Sequence, residues 1–303
     1  MGMFPAGFAR RLLILGVALA TPWTARGDSE EGRRSVFDDP RLRFESKLSL
    51  KITQGVKAKS GEFLAVVGLI EATDPRPRCG GTIVLQKDIV LTAGHCICDF
   101  IRGPHGKPNS NAMIGLGPAD HPKWYLVSDF RADYDCDAFH PGSYKPGHDL
   151  GVLKLKNPTA VAPMAIADAN RIDSASAFEV VGFGATDQDG KVYDFEKRHA
   201  TIRALDNTCV GSRAGVPDRV AYGCAVGREI VAGQRESPDT CNGDSGGPLL
   251  VKSGVSFAIA GVTSRSIPNA PIWCGAGGIY ERLTPEALVW IRGSVAAMNK
   301  ATT

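Results

Sequence analysis

The chain has little net charge, +3 over 303 residues, and few aromatics, 7%. It contains no internal repeat and no low-complexity tract, which argues against a solenoid or a compositionally biased tail. Past the N-terminal region no apolar run approaches the roughly 20 residues that a membrane-crossing helix requires. The near-neutral balance leaves no basic surface to attract nucleic acid. No Asn-x-Ser/Thr sequon with a permitted middle residue occurs, so N-linked glycosylation is not expected, and no paired acids mark a calcium loop. Nothing in the composition calls for a cofactor.

What is present begins with an export signature. Arg10 and Arg11 precede "LLILGVALA", a short apolar run that leaves through small residues at Ala18 and Ala20 into polar "TPWTARGDSE". This reads as a signal peptide over residues 1–20, the run being about half the length of a membrane anchor. The expected product is secreted or periplasmic, with no membrane association once the signal is removed. Eight cysteines, an even number, fit disulfides in an oxidising compartment, although eight allow about 105 pairings.

Residues 21–51 are polar, mixed in charge and free of cysteine, the pattern of a solvated linker. From Ile52 onward the texture changes to short apolar runs broken by Gly, Pro, Asn and Asp, such as "FLAVVGLIEA", "GTIVLQKDIVLTA", "FEVVGFG" and "FAIAGVTS". Closely spaced runs of strand length predict an all-β sandwich or barrel. One helix is expected at the end. Thr284-Pro285-Glu286 supplies an N-cap, a proline at the first helical position and an acid in the first turn, and Leu288, Ile291, Val295 and Met298 then share one face.

The stretch "DTCNGDSGGPLL" at 239–250 sets one serine among three glycines, with two acids before it, at Asp239 and Asp244. A flexible turn explains the glycines alone. A reactive serine explains the whole stretch, provided a histidine can take its proton and a third group can hold that histidine. Of six histidines, His95 in "IVLTAGHCICDF" has the flanks of an immobilised residue: an apolar strand before it and a cysteine after it. His105, His121, His140, His148 and His199 lie in polar, Gly/Pro-rich or alternating surroundings. For the acid, "GHDLGVLKLK" places Asp149 at the mouth of an apolar strand, where a carboxylate must find a partner; the ordinary alternative is a turn aspartate.

Taken together, "LTAGHC", "HDLGVLKL" and "CNGDSGGPLL", in the order His, Asp, Ser, resemble the trypsin-like (chymotrypsin-fold) serine proteases. The resemblance covers about residues 52–300 and includes "CGGTIV", "GFGAT" and "LDNTC". Mild departures at Gly94, Leu150-Gly151 and Asn242 touch no reacting group. It implies two six-stranded antiparallel β-barrels packed with the active site between them, plus a C-terminal helix. The first barrel would occupy about 52–165, the second about 166–284 and the helix about 285–299, within a protease domain of 52–303.

The resemblance also assigns roles. Ser245 is the nucleophile, His95 the general base and acid, and Asp149 the residue that orients the imidazole. The N–H groups of Gly243 and Ser245 form the oxyanion hole. Ser264 matches the serine that hydrogen-bonds the buried acid and lies in the substrate-binding region. Asp239 is the floor of the pocket for the side chain before the cut bond, where an acid selects Lys or Arg. Gly278 is a pocket wall and Ser266 stands at the entrance in place of the usual glycine. Residues 21–51 become a pro-segment, cut after Lys51 so that the new ammonium of Ile52 pairs with Asp244. Either self-cleavage or a separate activating protease could make that cut.

The implied disulfides are Cys79–Cys96, Cys209–Cys224 and Cys241–Cys274. Cys98 and Cys136 remain, and whether they pair is open. Arg265 replaces the family's usual tryptophan, and its cation either favours acidic substrate residues or points into solvent. The expected partner is a protein or peptide substrate, and the expected state a monomer without metal. Three alternatives stand beside this reading. A catalytically inactive homologue could use the scaffold to bind a protein, and "HCIC" could hold a metal through His95, Cys96 and Cys98. An esterase would need a G-x-S-x-G elbow, whereas the serine here sits in Gly-Asp-Ser-Gly-Gly.

Overall fold

The computed structural model describes residues 52, 55–72, 74–117, 122–137, 145–210, 222–233 and 238–300, all within one unit of the chain. The expected signal peptide at 1–20, the pro-segment at 21–51 with Lys51, and His121 and His140 lie outside these residues.

After the two-residue strand β1 (Val56–Lys57), six strands close into a barrel: β2 (Val66–Glu71), β3 (Asp74–Ile83), β4 (Ile89–Ala93), β5 (Ala112–Leu116), β6 (Lys123–Ala132) and β7 (Leu150–Leu155), in the order β2-β3-β4-β7-β6-β5. Six more make a second ring: β8 (Ala177–Gly182), β9 (Arg198–Asp206), β10 (Glu229–Ala232), β11 (Pro248–Ser253), β12 (Ser256–Ser266) and β13 (Gly278–Arg282). Their order is β9-β10-β13-β12-β11-β8, with β8 pairing back to β9 and β1 added on β9. All these strand pairs are antiparallel. The architecture is the expected one, two six-stranded barrels followed by a helix.

Two burial patterns explain the sequence texture. On β6, Tyr125 and Val127 are buried while the alternating Trp124, Leu126 and Ser128 are exposed, the period of two that a strand with one wet face requires. On β2 and β4 the apolar run is uninterrupted and five successive residues are buried in each, so both faces are covered. The helices are α1 (Gly94–Cys96), which continues as a π-helical turn at Ile97–Ile101, α2 (Ala169–Asp173) and α3 (Pro285–Lys300). Thr284 Oγ1 accepts a hydrogen bond from the Ala287 N–H at 3.1 Å, capping α3 as expected. Ile291, Val295 and Met298 of α3 are buried with the core of the first barrel, although the helix follows the second.

The first described residue is already part of the fold. Ile52 is 2% exposed and belongs to the second barrel's core, with Phe178, Val180 and Tyr280. Burying such a side chain contributes about 1.5–3 kcal/mol.

Candidate active site

Strand register brings the histidine and the acid together. β4 and β7 pair with Ala93 opposite Leu150, so the residues just beyond the ladder, Gly94-His95 and Asp149, leave the same barrel end side by side. The Gly94 N–H donates to the Asp149 carbonyl at 2.9 Å, continuing the ladder by one bond. Asp149, fully buried, then accepts three further bonds. The His95 N–H reaches Oδ1 at 2.8 Å, His95 Nδ1 lies 2.8 Å from Oδ2, and the Ser264 hydroxyl donates to Oδ2 at 2.6 Å. An imidazole bound this way holds its Nδ1 proton toward the carboxylate and frees Nε2 as an acceptor. Burial alone would lower its pKa, but the charge and hydrogen bond of Asp149, with the charge of Asp99, outweigh burial and raise it.

Ser245 comes from the second barrel, on the turn leading into β11. This turn is stitched across the seam, with the Gly80 N–H of β3 donating to the Ser245 carbonyl at 2.7 Å and the Thr92 hydroxyl to the Gly80 carbonyl at 2.8 Å. Two glycines on it are obligatory. Gly243 has φ +93° and Gly246 φ +80°, and a Cβ on Gly246 would stand 2.2 Å from Thr92 Oγ1. His95, Gly243 and Ser245 line one cavity of about 360 Å³, together with Arg76, Arg78, Asp99, Phe100, Tyr193 and Asn242.

On the other side of Ser245 lies a narrower cavity of about 70 Å³, lined by Thr240, Ser264, Arg265, Ser266, Gly277 and Gly278 among others. Asp239, 2% exposed, does not itself line it but is bonded to two residues that do: its carboxylate accepts from the N–H groups of Thr240 (2.8 Å) and Gly277 (2.9 Å), and from that of Gly275 (3.2 Å). Burial pushes its pKa up to about 7, against these three bonds. Ser266 sits exposed at the rim, and a Cβ on Gly278 would come within 3.1 Å of Tyr280 Oη.

Asp244 points the other way, into the second barrel. It is 1% exposed and accepts from the N–H groups of Gly184 (2.8 Å) and Cys241 (3.0 Å). The glycines of "GFG" at 182–184 now have a reason. A Cβ on Gly182 or Gly184 would fall 2.0 or 2.4 Å from this carboxylate. Burial raises its pKa to about 6.

All four disulfides close: Cys79–Cys96, Cys209–Cys224, Cys241–Cys274 and, resolving the open pair, Cys98–Cys136. They correct the metal alternative for "HCIC". Ligand-type atoms of Cys79, His95 and Cys96 do lie within 4.8 Å of one another. Both sulfurs are spent in a bond, however, and Cys98 is bridged to Cys136, whereas a metal needs thiolates. Instead, Cys96 Sγ packs 3.6 Å from His95 Nε2 and braces the ring.

Neither expectation for Arg265 holds as stated. Its side chain is 17% exposed and is bound to Glu229, a fully buried acid of β10 that sequence reading passed over. The signal for Glu229 was present in "REIVAG", a lone carboxylate inside a four-residue strand that is otherwise apolar. Of the other described histidines, His105 is exposed in a turn, His199 pairs with Glu179, and His148 lies 3.3 Å from Asp133.

The family model described as Trypsin matches residues 52–291. Among curated proteins, alpha- and beta-fibrinogenase stejnefibrase-1 of Trimeresurus stejnegeri is 27% identical over 274 residues, 86% of this chain and 94% of that protein. Thrombin-like enzyme gloshedobin of Gloydius shedaoensis is 29% identical over 276 residues, with the same coverage. Snake venom serine protease homolog KN4 of Trimeresurus stejnegeri is 26% identical over 269 residues, again 86% of this chain and 94% of that protein. With a family model spanning most of its length laid over two closed barrels, the chain belongs to the trypsin family.

Proposed function

We propose that the chain is an exported serine endopeptidase, made as a zymogen, that hydrolyses peptide bonds after Lys or Arg. The observation that carries this reading is the His95–Asp149–Ser264 chain of hydrogen bonds at a barrel end, with His95 and Ser245 lining one cavity. Ser245 Oγ attacks the scissile carbonyl while His95 Nε2 takes its proton, and the imidazolium then delivers that proton to the leaving amine. Water repeats the sequence on the acyl-enzyme and regenerates the hydroxyl. Asp149 keeps the ring in the required tautomer and stabilises the imidazolium. The N–H groups of Gly243 and Ser245 receive the developing oxyanion, where losing one donor costs roughly 10²–10³ in rate.

Asp239 supplies the specificity. A buried carboxylate bonded to residues that line the narrow cavity, its pKa raised to about 7, gains its charge most readily when a cation enters. Asp244 supplies the activation switch: cleavage after Lys51 would give Ile52 an ammonium to pair with this buried acid and order the serine turn. Export is supported by the expected signal peptide, the four disulfides and the venom origin in the name of the relative KN4. Among the described residues no helix is long and apolar enough to cross a membrane. The substrate is a protein or peptide, the working state a monomer, and activation follows from self-cleavage or another protease.

The test is an Arg-ester dye assay on the purified protein, read beside its N-terminal residue. Turnover that appears only when the chain starts at Ile52, and that Lys51→Gln abolishes, supports the reading. Full activity in uncleaved Lys51→Gln removes the zymogen, and no turnover by protein starting at Ile52 removes the peptidase, leaving the inactive homologue.

A further inference from the structure

The Arg265–Glu229 pair has no part in the mechanism so far, yet Arg265 lines the narrow cavity beside Ser264. Arg265 follows Ser264 on β12, and its Nη1 lies 2.6 Å from Glu229 Oε1 and 3.5 Å from Ser264 Oγ. Nη2 donates to Glu229 Oε2 at 3.1 Å and to the Gly223 carbonyl at 2.8 Å. Glu229 in turn accepts from the Ala225 N–H at 2.5 Å and from the Gly147 N–H at 3.0 Å. That last bond crosses between barrels. Gly147 lies two residues before Asp149, with φ +76°, and a Cβ there would press on Ala225 and on Arg228. One buried carboxylate of the second barrel thus holds the segment that delivers Asp149, while its guanidinium partner flanks the serine that donates to Asp149.

We propose that Arg265 and Glu229 act as positioning residues for His95 and Asp149, fixing the 147–149 segment while presenting a charge-neutral pair to the catalytic acid. This rests on the peptidase reading above for its consequence in turnover, but its electrostatic half is measurable without turnover. Where an aromatic wall is usual for the family, a buried ion pair braces the acid instead. Burial pushes the Glu229 carboxyl up, and the Arg265 hydrogen bond and charge, with the N–H bonds of Ala225 and Gly147, more than reverse this. The charged groups around His95 are Asp149 and Asp99, with Arg76 and Arg78 on the shared cavity. The titratable and charged groups around the pair are Glu281, opposite Glu229 in the β10–β13 register, with His148, Arg228 and Asp133; Arg228 Nη1 and His148 Nε2 lie 3.2 Å apart.

The experiment is an NMR titration of the His95 ring in the intact protein, with kcat measured alongside. In Glu229→Gln the guanidinium is left uncompensated beside Ser264 and disfavours the imidazolium, so the His95 pKa falls by about half a unit or more. Arg265→Met does not lower it. The double variant returns the pKa to the wild-type value while kcat stays reduced, because the charges cancel but the guanidinium contacts are gone. A His95 pKa unmoved in Glu229→Gln, or lowered equally by Arg265→Met, overturns the proposal. Should Arg265→Met fail to fold, Glu229→Gln against the double variant gives the same comparison. Wild-type protein that titrates as described but never turns over a substrate refutes the peptidase reading and not the pair.

Discussion

Two buried carboxylates of the second barrel, Glu229 and Asp239, meet opposite fates. Glu229 sits at the joint between the barrels with a guanidinium across it, and its pKa is lowered. Asp239 accepts from three backbone N–H groups, two of them on residues that line the narrow cavity, and its pKa rises to about 7. Both are buried and both accept several hydrogen bonds. The difference follows from the neighbouring charge: beside burial, the charge of Asp244 raises Asp239 further, while the hydrogen bond and charge of Arg265 lower Glu229. Glu229 is therefore a finished structural joint. In the proposed function the substrate's own cation pairs with Asp239, so the energy of forming that pair goes into choosing the substrate.

The widest gap between the two acids is expected in substrate choice. Asp239→Ser leaves a Lys or Arg side chain buried without its partner, a cost of roughly 3–5 kcal/mol, or about 10²–10⁴ in kcat/KM. Steady-state hydrolysis of Arg esters checks this, and an unchanged rate after Arg would leave Asp239 no nearer the substrate than Glu229. Next comes pH. Below about 7 Asp239 binds a proton that an incoming cation must expel, and His95 must also be neutral. The kcat/KM for Arg substrates should therefore fall toward a slope of two per pH unit on the acid side. Asp239→Ser acting on an uncharged side chain should fall with a slope of one.

Asp244 offers a smaller contrast of the same kind. Raised to about 6 by burial, it holds a proton in the folded uncleaved chain that the unfolded chain has already lost. Stability of the uncleaved chain should then fall as pH rises from about 4 to about 6, by up to about 1.4 kcal/mol per unit. Asp244→Asn should flatten that slope in urea melts. After cleavage the same sign recurs in a more alkaline window. The paired ammonium has a folded pKa above its unfolded value of about 8, so its contribution is full below that value and fades as pH rises through the folded one. The least effect is expected away from all three acids, where Thr284→Ala should cost about 1 kcal/mol through the lost cap without altering the slopes set by Asp239 and Asp244.

Local chemistry made much of this legible. The apolar run before His95 and the apolar run after Asp149 are neighbouring antiparallel strands, so one register places both side chains. The glycines around Ser245 and at 182–184 mark places where backbone or a carboxylate fills the room a side chain would need. Pairings set by three-dimensional proximity alone were not legible. Cys98 and Cys136 are 38 residues apart, with nothing in either flank naming the other. The partners of Glu229 lie 36 and 82 positions away, at Arg265 and Gly147, and the bond to Gly147 exists only because two barrels meet. Arg265 drew notice as a departure in the sequence, but its guanidinium could be placed only once β10 and β12 were seen in the same ring.

The most direct measurement is mass-spectrometric mapping of an arginine-like phosphonate after reaction with protein cleaved behind Lys51. One adduct per chain on Ser245, absent from His95→Ala, is the expected result. An unlabelled Ser245, or labelling as fast in His95→Ala as in the parent, would contradict a nucleophile activated across the barrel seam.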